Sequence, residues 1–488
     1  MIAKKPFHNF FSGKSIFLDR NNPGNGFTLP QDKVIIPFDH FFDHFVKIAF
    51  GAANIDIHGP YCLLCRLARN FAIKYYYGMK IWIKLLVGSA LGIVLGFLLP
   101  YENQIVFSGM AWLEQAALNI GRYAAVPMLF FSLVIAIYEL RQDREFWPLL
   151  GRSFLVMTGG AVFIISSGII ATLLFSPARI PILIEEQYET ISLGISDMVL
   201  GLFPSNLFTA LVNDGIYLLP AWFLAFFLAM GLGLDKNYSK PVLSIGDSLS
   251  RIFYHVAAFF SEILVLVIIA LAAYWAIRYH TALRSDVFRD LILLLGIFAL
   301  FLAFGIFPLF LLILKPKTNP WISLYGSLGT AIAGFFSGDM NFTLPVIYRH
   351  VKENLGVRRR SNAVTVSLFS IFGRAGSAMV AAVSFIVIIN SYSRLGIAMS
   401  GVITIGLQAF LISFLLAGHP GNAAFTALAV LGMNYGKGFE AGYLILKPMA
   451  FYLVAVGTFL DVMFCSFASY AIGRWSGFQE DKDMRHFI

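Results

Sequence analysis

The chain has 488 residues, of which 58% are apolar and only 13% charged, with 49 phenylalanines and a mean hydropathy of +0.76. A soluble globular chain is nearer half apolar and a quarter charged, so a soluble enzyme or a nucleic-acid-binding module is excluded. The net charge of +9 sits in short connecting loops, as the positive-inside rule expects of a membrane protein, and three cysteines (Cys62, Cys65, Cys465) cannot build a disulfide framework.

Residues 1–78 differ from the rest of the chain. They hold short aromatic runs without a full span, and no apolar signal-peptide core is found in the first 30 residues. His40 and His44 lie four apart, and Cys62 and Cys65 form a CxxC. The two pairs lack the order of a zinc finger, and the segment reads as an upstream extension ahead of Met79-Lys80.

Apolar runs of about 18 residues or more, each long enough to cross a bilayer, then recur. The first is 81–99, where Gly88, Gly92 and Gly96 at four-residue spacing make a surface for close helix packing. Further spans are predicted at about 122–139, 153–175, two pieces between 195 and 234, 252–279 and 290–314. Residues 176–195 carry Glu185, Glu186 and Glu189 as an acidic loop. Alternating spans place Lys80, Lys84, Arg141, Arg144, Lys236, Lys240, Lys315, Lys317, Arg358 to Arg360, Arg474, Lys482 and Arg485 on one side, with Arg278, Arg284, Arg289 and Arg394 opposite. This orientation puts both termini in the cytoplasm of a multi-pass protein of the cell (inner or plasma) membrane.

After residue 320 the regular pattern fails. The segment 321–348 is apolar but broken at Ser337, Gly338, Asp339 and Asn341, which predicts a re-entrant hairpin. The run 362–390 is interrupted at Gly373-Arg374-Ala375-Gly376, and 396–433 is interrupted at Ala417-Gly418-His419-Pro420-Gly421-Asn422. The last span, 440–473, carries Asp461 at its centre. Non-helical backbone at membrane depth survives only when buried in protein or lining a cavity. Paired interrupted segments in two halves of a chain are the best sequence pointer to a transporter's binding site. The fold class is therefore an all-α integral membrane protein of about eight transmembrane helices plus two re-entrant helical hairpins with inverted repeats.

Several of these motifs carry a family resemblance. PMLFFSLV (127–134), LFPSNLFTAL (202–211), FSGDMNFTLPVIYRHVKENLGV (336–357) and AGHPGNAA (417–424) resemble signatures of the dicarboxylate/amino acid:cation symporters, which include glutamate transporters. The likeness covers about 80–473. It implies a homotrimer in which 79–320 supply mainly scaffold and trimerisation helices and 321–473 the mobile transport region, followed by a cytoplasmic tail, 474–488. It also implies an elevator-like carrier of a small organic solute, a carboxylate or an amino acid, with sodium or a proton as coupling ion and no other cofactor. The substrate-binding set carried over is Asp339, Met340, Asn341, Thr343, Arg374, Ser377, Gly418, His419, Pro420, Gly421, Asp461 and Cys465, with Gly373, Arg374 and Asp461 as ion-coupling positions.

The departures are equally specific. Where the family reads Asn-Met-Asp-Gly-Thr, this chain has Gly373 to Ser377, keeping only the glycine. Phe464 stands where members acting on acidic substrates have an arginine, and Ala468 and Ile472 replace an Asn and an Asp. Carboxylates are thus missing at two cation positions, Ala375 and Ile472, and sodium coupling is expected to be weak or absent, since hard cations need several oxygen ligands. Arg374 is expected to supply the missing positive charge by pairing with Asp461, Asp339 or hairpin carbonyls. The plainer reading of Arg374 and Asp461 is a salt bridge fastening two helices. Glu262 reads as a buried, protonated carboxyl within the scaffold, His255 as an interface residue, and His419 as a loop histidine with the capacity to carry a proton. No Ser/His, paired-Asp or HExxH arrangement of a membrane protease is present; the alternative function is a transport-deficient sensor or scaffold retaining the fold.

Overall fold

The computed structural model describes residues 80–100, 102–181, 193–209, 216–234, 236–282, 286–314, 319–392, 397–436, 438–482 and 487–488. The His40, His44, Cys62 and Cys65 group lies outside the described residues, as do Glu185, Glu186, Glu189, Arg284, Lys315, Lys317, Arg394 and Arg485. Among the described residues the protein is all-helical, apart from one isolated bridge between Val357 and Gln479.

The helices follow in order as α1 (Ile81–Leu98), α2 (Gln104–Arg122), α3 (Ala125–Gln142), α4 (Phe146–Phe175), the short α5 (Ile195–Gly201), α6 (Leu219–Leu232) and the long α7 (Lys236–Ala282). Next come α8 (Arg289–Leu300) and α9 (Phe307–Leu314), joined without interruption by a π-helical segment, Phe301–Ile306. The remainder is α10 (Trp321–Ser337), α11 (Met340–Glu353), α12 (Arg359–Phe372), α13 (Ala375–Tyr392), α14 (Met399–Leu415), α15 (Ala423–Tyr435) and α16 (Ala450–Trp475). Eight stretches among the described residues are long and apolar enough to cross a membrane. The second begins at Gln104, not near residue 122, because α2 runs almost straight into α3.

The glycine stripe of α1 performs as its spacing predicts. A Cβ on Gly88 would lie 2.9 Å from the Val265 carbonyl oxygen, and one on Gly92 2.8 Å from Ala272 Cβ. At Gly96 it would lie 2.8 Å from Ala276 Cβ. Three successive turns of α1 thus rest on the backbone of α7, where any side chain would force the helices apart.

Residues 321–353 fold into a helical hairpin. Asn354 Nδ2 donates to the Gly326 carbonyl at 3.1 Å, and a Cβ on Gly329 would meet the His350 ring at 2.5 Å, so α10 and α11 run antiparallel. The turn is made by Gly338 at φ 59°, a left-handed conformation that glycine adopts at no steric cost. Asp339 then caps α11, accepting from the backbone N–H of Asn341 at 2.7 Å and of Phe342 at 3.2 Å. The second hairpin, α14 and α15, is also antiparallel, with Gly401 beside the Tyr435 hydroxyl and a turn through Gly418 to Asn422. The first hairpin opens beside the start of α12 and the end of α16, and the second beside the end of α13, where Phe385 and Tyr392 pack on Tyr435 and Phe439. The two therefore enter the α12–α13 pair from opposite ends.

Several basic side chains are paired beside the start of α12 and the end of α16. Arg360 pairs with Asp143, Arg359 with Asp247 at 2.6 Å, and Arg152 Nη1 donates to Ser476 Oγ at 2.9 Å. The chain after α16 turns back on the loop that follows α11: Arg358 N donates to the Phe478 carbonyl (2.8 Å) and Glu480 N to the Gly356 carbonyl (2.9 Å).

Glu262 departs from expectation. It is not a neutral carboxyl but is met by Lys84 Nζ at 2.9 Å and by Arg349 Nη1 at 3.0 Å. Arg349 in turn reaches Glu353 at 3.3 Å. These two contacts tie α1 and α7 to the first hairpin.

Gly92→Leu should cost about 1–3 kcal/mol through overpacking, read as a lowered thermal unfolding midpoint in detergent. Gly109→Leu is the control, since a Cβ there meets nothing within 4 Å. Equal shifts for the two variants would show that the α1–α7 contact does not depend on the stripe.

Candidate functional site

The break between α12 and α13 lies at the centre of the helical core. Gly373 ends α12 with φ −87° and ψ 53°, outside helical space. The Arg374 carbonyl accepts the first bond of α13, from Ala378 N at 3.0 Å, which makes Arg374 the N-cap residue. An N-cap normally supplies a short side-chain oxygen to the amides two and three positions on, and an arginine has none to offer. Asp461, from the middle of α16, supplies it instead. Its Oδ1 accepts from Gly376 N at 2.7 Å and from Ser377 N at 3.1 Å, and its Oδ2 accepts from Ser377 Oγ at 2.6 Å. The carboxylate also sits at the positive end of the α13 dipole. Asp461 is completely buried and so is Ser377.

Arg374 is only 3% exposed. The expected ion pair with Asp461 or Asp339 is not made, nor is a bond to hairpin carbonyls. Its Nε has no hydrogen-bond partner, and among the described residues no carboxylate oxygen comes within 4.0 Å of the guanidinium. The reason is that both carboxylates are otherwise engaged. Asp461 is occupied in capping α13. Asp339 caps α11 through Oδ1, while its Oδ2 accepts from Arg122 Nε at 2.9 Å and also from Nη2 of the same guanidinium. The same finding sets aside the plainer reading, a helix-fastening Arg374–Asp461 salt bridge.

The remaining predicted residues divide into three groups. Cys465 lies one turn beyond Asp461 and is buried, its thiol 3.8 Å from the Val366 carbonyl. At the first tip Met340 is buried, Asn341 Nδ2 donates to the Ile216 carbonyl at 2.5 Å, and Thr343 Oγ1 donates back to the Met340 carbonyl at 2.9 Å. Thr343 thus has its hydroxyl turned onto its own helix. At the second tip Gly418 and His419 rest on Gly201 of α5, with His419 Cε1 2.8 Å from where a Gly201 Cβ would be. His419 therefore faces α5. The start of α15 does reach the break, since a Cβ on Gly457 would sit 2.9 Å from Ser377 Oγ and 3.0 Å from Ala424 Cβ. Pro420 and Gly421 occupy the turn, where a Gly421 Cβ would meet nothing within 4 Å.

Phe464, one turn from Asp461, presses onto Gly160 of α4 and packs edge-on against Phe369 at 5.4 Å and near Phe307 at 6.0 Å. The position the resemblance assigns to a charged side chain is thus an aromatic plug with no cation. Arg122 is the residue that sequence reasoning did not single out. Its only signal is a lone cation between two apolar runs, 104–121 and 123–140.

Asp461→Ala should destabilise by about 3 kcal/mol, because it leaves two buried amides and a hydroxyl at the start of α13 without an acceptor. Ser377→Ala, which removes one hydroxyl donor, should cost about 1 kcal/mol. Thermal unfolding of purified protein ranks them, and equal costs would refute Asp461 as the cap of the break.

A family model described as the sodium:dicarboxylate symporter family matches residues 81–475, most of the chain. A protein described as an excitatory amino acid transporter from Onchocerca volvulus is 30% identical over 115 residues. That match covers 24% of this chain and 23% of the relative, so it spans about a quarter of the relative's length.

Proposed function

Since this chain belongs to the sodium:dicarboxylate symporter family, we propose that it is a secondary transporter of a small organic solute bearing a single carboxylate. The observation that carries this reading is Arg374, a buried guanidinium with its Nε unpartnered at a helix break. A guanidinium pairs a carboxylate through two parallel hydrogen bonds, and such a ligand offsets the cost of an uncompensated charge in an apolar interior. The start of α15 borders the break through Ala424, which packs with Ser377 around Gly457.

Specificity follows from the groups already engaged. Phe464 offers no charge to a second carboxylate, so dicarboxylates and acidic amino acids are disfavoured despite the name of the relative. Sodium coupling is weak in this reading, because Ala375 and Ile472 bring no oxygen ligand and Asp461 is committed to three hydrogen bonds. The hairpins are re-entrant, 79–320 form mainly the scaffold of a homotrimer, and 321–473 move as the carrier across the cell membrane with both termini in the cytoplasm. The antiparallel hairpins, and the positive residues gathered beside the loops, support that arrangement.

Purified protein in vesicles tests the proposal with labelled pyruvate and L-alanine set against succinate and L-glutamate. Pyruvate or alanine should enter faster than either doubly acidic solute, with initial rates changing by less than about twofold when potassium replaces sodium. Arg374→Gln should weaken apparent affinity by about 100-fold, which corresponds to ~3 kcal/mol for a charge-assisted pair. Steeply sodium-dependent glutamate uptake that survives Arg374→Gln would overturn the reading.

A further inference from the structure

Where the chain after α16 folds back on the foot of the first hairpin, it encloses a polar cavity of about 210 Å³. Asn319 and Ile322 at the start of α10, Leu355 just beyond α11, and Arg474 at the end of α16 form its inner wall. Asp481 and Lys482 of the returning chain, both exposed, form its rim. The geometry of the enclosure is fixed by backbone. Val357 and Gln479 make the isolated antiparallel bridge, and a Cβ on Gly356 would lie 1.9 Å from the Glu480 carbonyl oxygen and 3.1 Å from Lys482 Cγ. Only glycine, here at φ 69°, lets the returning chain and the stem of Lys482 approach so closely.

Most polar groups around the cavity are engaged. Asn354 donates to the Gly326 carbonyl and accepts from Ile488 N at 2.9 Å. Gln479 Nε2 donates to the Glu480 carbonyl at 2.8 Å and to Asp481 Oδ1 at 3.2 Å, and the Glu480 carboxylate is taken by Arg358 at 3.1 Å. The two cations are left over. Arg474 Nη1 donates to the Tyr470 hydroxyl at 2.9 Å, but its Nε is buried without a partner. Among the described residues no carboxylate oxygen comes within 4.0 Å of Arg474 or of Lys482 Nζ.

A guanidinium fork and an ammonium point charge facing one enclosure are the groups that hold phosphate. A phosphate monoester brings nearly two negative charges and three acceptor oxygens, and so matches two cations better than one carboxylate does. The cavity is smaller than the ~300 Å³ at which sites for drug-sized ligands begin, and Ile322 and Leu355 give it a short apolar side. We infer that it binds a phosphate monoester on a short carbon body, of which glycerol phosphate, free or as a lipid headgroup, is the simplest case. Arg474 and Lys482 take the phosphate, and the carbon body lies against Ile322 and Leu355. Arg474 is 13 residues beyond Asp461 on α16, about 20 Å along the helix. The site is therefore distinct from the break at Arg374 and does not rest on the transport reading.

Binding of labelled glycerol 3-phosphate to the purified full chain in phosphatidylcholine nanodiscs tests this. Saturable binding is expected, and unlabelled glycerol should not compete. Arg474→Gln and Lys482→Gln should each weaken binding by at least about tenfold, through loss of a charge-assisted bond. Asp481→Asn should tighten it severalfold by removing like charge from the rim, a gain that damage to the fold would not produce. Arg374→Gln should leave the affinity as it is. Nanodiscs with phosphatidic acid, set against the same charge of phosphatidylserine, identify the source: selective competition by phosphatidic acid assigns a lipid headgroup, and equal effects assign the free phosphate. No saturable binding up to about 10 mM probe, binding that survives both Arg474→Gln and Lys482→Gln, weaker binding in Asp481→Asn, or binding lost in Arg374→Gln would each overturn the inference.

Discussion

The structure depends on one carboxylate that takes the place of a missing N-cap. A helix that starts in the middle of an apolar core exposes its first amides to nothing that can accept from them, and each unmet donor is costly where water is absent. Arg374 occupies the N-cap position without a side chain that can serve it. Asp461 closes the gap from α16, binding two amides and a hydroxyl of α13 at once. Once Asp461 is fixed in that way, α12, α13 and α16 are locked in register, and Arg374 loses its most obvious counter-ion. The chemistry of the site follows from that commitment.

The architecture was largely legible in the sequence. The breaks at Ser337–Asn341 and Gly418–Asn422 are local events, written in small and polar residues inside apolar runs, and the turns fall there. The glycine stripe on α1 is likewise a property of one helix face. What was not legible is pairing across distance. Asp461 and Gly376 are 85 positions apart, Arg122 and Asp339 are 217 apart, and Lys84 and Glu262 are 178 apart. Periodicity reports which face a residue takes, not which remote residue will meet it. Hence Glu262 was read as neutral, Arg374 as paired and Arg122 was passed over, although all three lie in segments whose helical character was plain.

Ionic contacts concentrate on the first hairpin. Glu262 of α7 gathers Lys84 and Arg349, Tyr254 donates to Glu353 at 2.5 Å, and Arg122 holds the tip. In the proposed division of the chain into scaffold and carrier, these contacts would cross the boundary between the two. Ion pairs suit such a seam: they fix one arrangement by geometry while contributing little net stability that would hinder separation.

The returning chain after α16 makes the two hairpins mechanically unequal. Its bonds to Gly356 and Arg358 strap the foot of the first hairpin to α12 and α16, and Asn341, Tyr348 and Arg349 add side-chain bonds to three other parts of the fold. In the second hairpin Thr404, Ser413, Thr426 and Asn434 turn their side chains onto the hairpin's own backbone. Its tip rests instead on the backbone of Gly201, through shape alone. Displacing the first hairpin means breaking directional bonds that must find replacements, whereas the second tip is held by close packing of Gly418 and His419 on Gly201. The first hairpin is fastened by directional bonds to the rest of the fold, and the second by packing.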